Sequence, residues 1–461
     1  MKAVSVAEGF LRSCVAIDPD RGARLSLDAV RLWIHEQRGS ARMRVERIPF
    51  AAMDAWRFTQ EGPIRLRHDS GRFFTVEGAR FRSTVTGDAW EQPVLNQPET
   101  GLLGLLMAVL DGTPHFLAQA KWEPGNSARQ LSPTVQATHS NYTRAHGGRE
   151  QPFLDRFMRP RRDSVVFDAL MPEHGSYFLR KLNRNMVVQV EEDLLAPSGF
   201  LWLTLGQLKV LLAEDDVVHM DTRSVLGCLP LGARGAGEHL VDALGLGGRA
   251  AAIAHSASAA EGVCEVEAWL CPERFAIEHC SLDAMPGWVL EQDAIRPLTV
   301  GQKHAEFSVI AVRVEASRRE VDRWTQPIIA PSRSGFLGLM CAPFNDGLSF
   351  LAEARPEPGH DGFAQVFPTV TTDDVGEAPL AEHFRHVSAS QSIFSARSSE
   401  EGGRFFHYDN RFSIIDVPPS FEVPLTHRWL TLGQLGELAQ QGRVSMEMRN
   451  LLACLPVAGK E

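Results

Sequence analysis

The sequence predicts an α+β fold laid down twice in tandem, and three observations carry the prediction. The heptapeptide WLTLGQL occupies Trp202 to Leu208 and again Trp429 to Leu435, and each copy runs on to a CLP tripeptide, at Cys228 and at Cys454. WEQP at Trp90 answers WTQP at Trp324, and GLLGLLMAVLDGTPHFLAQAKWEPG from Gly101 answers GFLGLMCAPFNDGLSFLAEARPEPG from Gly335 at the same spacing. Within a copy, stretches that alternate like strands are followed by stretches of helical period. Strand-rich middles closed by paired helices define an α+β unit.

Taken in chain order, the first helix signal is Asp28 to Gln37, whose apolar residues recur at helical spacing. HFLAQAKWEPG from His115 alternates and breaks at Pro124-Gly125, a strand ending in a turn, and MVVQVEE after Asn185 is a second strand. Thr204 and Thr431 stand where they would N-cap LGQLKVLL and LGQLGELA, and Asp221 or Ser445 would open the last helix before CLP. Between Leu231 and Gly262, alanine and glycine dominate, as in a linker or a poorly packed helix. A short helix fits Val266 to Phe275. The expected division is 1–235, a linker at 236–260, and 261–461.

Composition narrows the function. The chain is 44% hydrophobic and 23% charged, as in a globular protein, and no apolar run reaches the roughly 20 residues that span a bilayer. Its first residues have no h-region of signal-peptide length, so a cytoplasmic protein away from the membrane is expected. Seven cysteines without CxxC spacing suit a reducing compartment and read as buried thiols. A net charge of -10 argues against nucleic acid as partner and leaves room for a small anion held by a local arginine cluster.

Three stretches of the first copy are more polar than loops require: HDSGRFFTVEG from His68, the run from Gln119 through Lys121 to QLSPTVQATHSNYTR at Gln130, and GSYFLRKLNRN from Gly175. Arg72, Arg144, Lys181 and Arg184 together are candidates for gripping a diphosphate, since guanidinium forks match phosphate oxygens; singly, each reads more simply as a solvated cation.

Those strings, with FLAQAKWEPGN from Phe116, LRKLNRNMVV from Leu179 and both WLTLGQL…CLP endings, resemble the NDP-hexose 2,3-dehydratase family of deoxysugar biosynthesis over nearly the whole chain. The resemblance implies two Nudix-hydrolase-like modules per subunit, a homodimer, and loss of water from C2 and C3 of an NDP-4-keto-6-deoxyhexose without a metal or redox cofactor. It also implies a 3-ketoreductase that takes up the 3,4-diketo product. The Nudix likeness concerns fold alone. Neither copy holds the glutamate box that would bind magnesium for diphosphate cleavage.

The chemistry asks for a base near C3, a donor to the C4 oxyanion and an acid for the departing hydroxyl. Tyr142 is a candidate donor or acid, with a core or rim aromatic as the plain alternative. His68 and His139 are candidate bases, and Glu173 with His174 offers an acid-base pair. Gln119, Lys121, Gln136, Asn141, Asn183 and Asn185 are expected to hydrogen-bond sugar and diphosphate, and Trp90 or Phe74 to stack on the nucleobase. Copy two departs from this pattern: Gly301 to Phe307 lacks the arginine of HDSGRFF, and Asp373-Asp374 follow where the Gln-Tyr block stood. The expectation is therefore a catalytic first copy and a degenerate, structural second copy, with Arg72→Ala abolishing turnover and Arg411→Ala sparing it. A non-catalytic NDP-sugar binder and an enolate-type epimerase or isomerase are the competing readings.

Overall fold

The computed structural model describes residues 6–40, 42–138, 151–191, 194–229, 248–270, 274–299, 306–317, 321–344, 347–360, 364–372 and 380–456. The fold is α+β. Gly101–Leu110 is the centre of a seven-stranded sheet, where its unbroken apolar run is buried on both faces. It pairs in parallel with Leu182–Val190 and antiparallel with Thr113–Lys121. Gly335–Phe344 occupies the same place in a second seven-stranded sheet, parallel to Asp409–Asp416 and antiparallel to Gly347–Pro356.

The helices that follow each sheet start as expected. Thr204 and Thr431 each accept from the backbone N–H three residues on, and Gln207 and Gln434 return the bond, two complete capping boxes. Ser445 caps Met446–Ala453, whereas its counterpart Met220–Leu226 is capped by His219 and not by Asp221. The predicted helix near Val266 is shorter, Val263–Trp269, and Phe275 begins a strand.

Where the sequence predicts a linker, the described part holds a helix, Gly248–Ser258, with Ile253 and Ala254 in the core. Its packing matches that of Val6–Val15. Ser13 Oγ accepts from Leu205 N at 2.9 Å, Ser256 Oγ accepts from Leu432 N at 2.9 Å, and the capping threonines reach back to Ala16 O and Ala259 O. Gly347 closes on this helix: a Cβ there would meet Ala252 O at 2.6 Å.

The two halves exchange strands. Met43–Ile48 pairs with Phe307–Ala316 of the second half, and Phe275–Cys280 pairs with Thr75–Ser83 of the first, so each smaller sheet is completed from across the chain. Between the halves, Met220–Leu226 packs on Met446–Ala453. Arg223 and Arg449, both fully buried, reach across reciprocally: Arg223 Nε donates to Asn450 Oδ1 at 2.7 Å and Arg449 Nε to Ser224 Oγ at 3.0 Å. Their terminal nitrogens donate to Ser399 O and Pro172 O, satisfying charges that would otherwise be very costly to bury.

Candidate active site

A second reciprocity builds the site. The turn 123–126 of the first half and the turn 357–360 of the second each receive a loop from the opposite half. Gly125 N donates to Gly402 O at 2.7 Å, and Gly359 N donates to Gly175 O at 2.8 Å. Gly125 has to be glycine, because a Cβ there would run into the Phe405 carbonyl. As a result the loop 400–404, with Val321, Trp324, Thr325 and Gln326 of the same half, closes a cavity of about 390 Å³ whose remaining walls come from the first half.

Seven of the expected residues line this cavity: His68, Gln119, Lys121, Gln136, Glu173, Lys181 and Asn183. Strand alternation aims them, since Gln119 and Lys121 share one face of Thr113–Lys121. Phe74 lines it too, beside Trp56 and Phe73. His139, Asn141, Tyr142 and Arg144 lie outside the described residues.

Four of the expected residues lie outside the cavity lining. Arg184 follows Asn183 on the strand and so points away from the cavity, paired with Asp168 at 2.7 Å. Asn185 is fully buried, accepts from Ser224 Oγ and donates to Asn183 O, and ties its strand to a helix. Trp90 donates to Gln92 Oε1 and packs on Phe81 and Phe275, outside the cavity walls; Trp324, its partner in the repeat, lines the cavity. Arg72 is exposed on the turn after His68 and is not among the lining residues. Of the three expected diphosphate ligands among the described residues, Arg72, Lys181 and Arg184, it is Lys181 that is placed in the wall.

The cation that sequence reasoning missed is Arg404, from the second half. Its guanidinium lies over the Phe74 ring at 4.3 Å, Nη2 donates to Gln97 Oε1 at 3.2 Å, and its buried Nε has no hydrogen-bond partner. The second half therefore contributes to the cavity wall as well as to the fold. Glu123, Asp221 and Glu401 were missed as well. The signal was in EEGGRFF, which puts an arginine where the first copy has Tyr177.

Glu123 organises the floor. One oxygen takes Lys121 Nζ at 3.2 Å and Gln136 Nε2 at 3.0 Å; the other takes His219 Nε2 at 2.9 Å and Gly403 N at 3.0 Å. Around it burial shifts the neighbours. It raises Glu173 and Asp221, the latter well above the carboxylate range with Glu401 adding to the effect, and pushes Glu401 itself up to about 7. It also brings Lys181 down to about 8. Glu173 Oε2 and Asp221 Oδ2 are buried without hydrogen-bond partners, although Glu173 Oε1 accepts from Asn183. His68 is half-buried, edge-on to Trp56 and Phe73. Its Nδ1 accepts from Ser70 N at 3.1 Å, so the neutral ring carries its proton on Nε2.

Glu173 and the adjacent His174 do not form a pair. His174 turns into the matching position of the second half, where Glu447 Oε1 lies at 3.0 Å and Glu400 Oε2 at 3.2 Å. Those two carboxylates outweigh burial and raise the imidazole well above its ordinary value. Among the described residues, no group of three or more His, Cys, Asp or Glu side chains is arranged to hold a metal ion.

Comparison with known proteins places this geometry. The family model described as NDP-hexose 2,3-dehydratase matches residues 27–229 and 266–455, both halves of the chain. The chain belongs to the NDP-hexose 2,3-dehydratase family. Among its relatives in that family, a dTDP-4-dehydro-6-deoxy-alpha-D-glucopyranose 2,3-dehydratase of Saccharopolyspora spinosa is 38% identical over 441 residues, covering 92% of this chain and 90% of that one. Proteins of the same description from Amycolatopsis orientalis and Streptomyces violaceoruber are 36% and 37% identical, over 95% and 92% of this chain and 92% and 95% of theirs. The family match breaks off between 229 and 266, around the helix Gly248–Ser258. No helix among the described residues is long and apolar enough to cross a membrane.

Proposed function

We propose that the protein removes water from C2 and C3 of an NDP-4-keto-6-deoxyhexose, in practice a dTDP sugar, within deoxysugar biosynthesis. The observation that carries this reading is the coincidence of family membership over both halves with a cavity lined by Glu173 and Asp221, each with one buried carboxyl oxygen lacking a hydrogen bond, and by Arg404, whose Nε lacks one too. Glu173 takes the C3 proton, and the electron pair spreads onto the C4 oxygen as an enolate. The Nε2–H of His68 suits it as a donor to that oxyanion better than as a base, and Lys121 adds positive charge nearby. The enolate then re-forms the C4 carbonyl as C2=C3 forms and the C2–O bond breaks. Hydroxyl leaves with a proton as water, and the 2,3-enol tautomerises to the 3,4-diketo sugar.

Lys181, Arg404, Gln119, Gln136 and Asn183 hold the nucleotide and sugar, and Trp324, Phe73 or Phe74 offers a stacking face. Each half is Nudix-like, the pair arising by duplication, and the first half with its borrowed loop is the catalytic unit. A homodimer and a 3-ketoreductase that consumes the product complete the proposal.

The test is incubation of the purified chain with dTDP-4-keto-6-deoxyglucose, with and without a 3-ketoreductase. A product lighter by one water and trapped on reduction is expected. Unchanged mass with a shifted sugar signal would mean isomerisation, unchanged substrate a binder; either result overturns the proposal.

A further inference from the structure

Four carboxyl side chains converge on the cavity, and three have a local duty or lie deep. Glu123 spends both oxygens on Lys121, Gln136, His219 and Gly403. Asp221, at the start of its helix, lines the cavity but is almost inaccessible, with His219 Nδ1 3.7 Å from its Oδ2. Glu173 is anchored by Asn183. Glu401 differs: it keeps accessible surface, but that surface borders the cavity and protein surrounds the carboxyl otherwise. It arrives on the loop of the second half that Gly125 and Glu123 clamp through Gly402 and Gly403.

We infer that Glu401 is the general acid of the dehydration, the group that hands its proton to the departing C2 hydroxyl. The inference rests on the dehydratase reading above. The groups facing it are Glu123, Glu173 and Asp221, which favour a retained proton, and Lys121 and Arg404, which oppose it. Burial and the carboxylates prevail, bringing Glu401 up to about 7, so a large fraction of it is protonated at neutral pH, as an acid requires. In the step itself the C2–O bond breaks, the enolate pair becomes C2=C3, and the Glu401 O–H bond supplies the proton that makes the leaving group water. Glu401 is left as carboxylate while Glu173 holds the proton from C3. Transfer between these neighbouring carboxyls, or exchange with solvent, restores both. One turnover thus consumes no proton, and an acid from one half and a base from the other work on adjacent carbons.

The experiment compares two substrates: dTDP-4-keto-6-deoxyglucose and its analogue with fluorine in place of the C2 hydroxyl. Fluoride departs as an anion without a proton donor, so an acid matters for the first substrate only. With Glu401→Gln, loss of hydroxyl should slow by about 10²–10⁴-fold while fluoride release stays within about threefold of wild type. In D2O the variant should still exchange the C3 proton of the normal substrate. A second arm needs no variant: on the wild-type chain, kcat/KM for the hydroxyl substrate should fall with rising pH through a limb near 7 that the fluoro substrate lacks. Equal losses on both substrates, no loss on either, disappearance of C3 exchange, or identical alkaline limbs would each overturn the assignment of Glu401. Failure of the dehydratase reading looks different: wild type would then release neither water nor fluoride.

Discussion

Substituting Arg404 by glutamine tests whether the second half binds substrate. In the folded protein this guanidinium is held by stacking over Phe74 and by hydrogen bonds from Nη2 to Gln97 Oε1 and from Nη1 to Gly403 O, and Nε is left over. The stacking is worth ~0.5–1 kcal/mol, and a glutamine fills part of the same space, so the melting temperature should move little. A hydrogen bond to a charged group is worth ~1.5–3 kcal/mol, which converts to about 10–150-fold in affinity. Calorimetric titration with dTDP, an inert fragment of the substrate, should register that loss, and KM should rise with it while kcat changes less. Arg72→Ala, measured alongside, addresses the competing assignment made from sequence, because Arg72 sits exposed on a turn outside the lining. If Arg404→Gln binds dTDP within twofold of wild type while Arg72→Ala abolishes binding, the cavity described here is not where the diphosphate sits.

Glu173→Gln should abolish deuterium exchange at C3 and lower kcat by about 10²–10⁴-fold; exchange that survives removes Glu173 as base. His174 binds its proton more tightly folded than at its usual value of 6.5, so its stabilising share is complete below that pH and fades as pH rises through the raised value. Thermal melts of wild type should therefore fall toward alkaline pH, and His174→Gln, which leaves Glu400 and Glu447 buried without their cation, should lose about 3–5 kcal/mol at neutral pH and show a flatter alkaline slope. Gly125→Ala should cost activity and stability together, read by turnover and melting, since its Cβ would displace the loop that carries Glu401 and Arg404. Residues 1–235 expressed alone should be inactive, lacking Phe275–Cys280 and that loop, and co-expression with 236–461 should restore turnover.

The α+β class, the capped helices and the strands from His115 and after Asn185 were legible because each depends on local period and local capping chemistry. Strand exchange was not. An internal repeat fixes which segments are alike, yet Met43–Ile48 and Phe275–Cys280 carry the same signal whether they pair within their own half or across. The helix Gly248–Ser258 escaped for a related reason: its small residues read as a weak helix until the backbone they admit is known. At the site, alternation puts Gln119 and Lys121 on one face of their strand, and the same alternation sends Arg184 of LNRN to the opposite face from Asn183. Glu401 and Arg404 were hidden by the repeat itself, which files EEGGRFF under the second copy although the chain folds it onto the first.

The reciprocal loops constrain how this enzyme can be re-engineered. A chimera that takes its amino-terminal half from one relative and its carboxy-terminal half from another would combine the sugar-facing strands of the first with the glutamate and arginine of the second. Specificity grafts should therefore carry residues 400–404, together with Val321, Trp324, Thr325 and Gln326 of the same half, along with the first-half walls they complete.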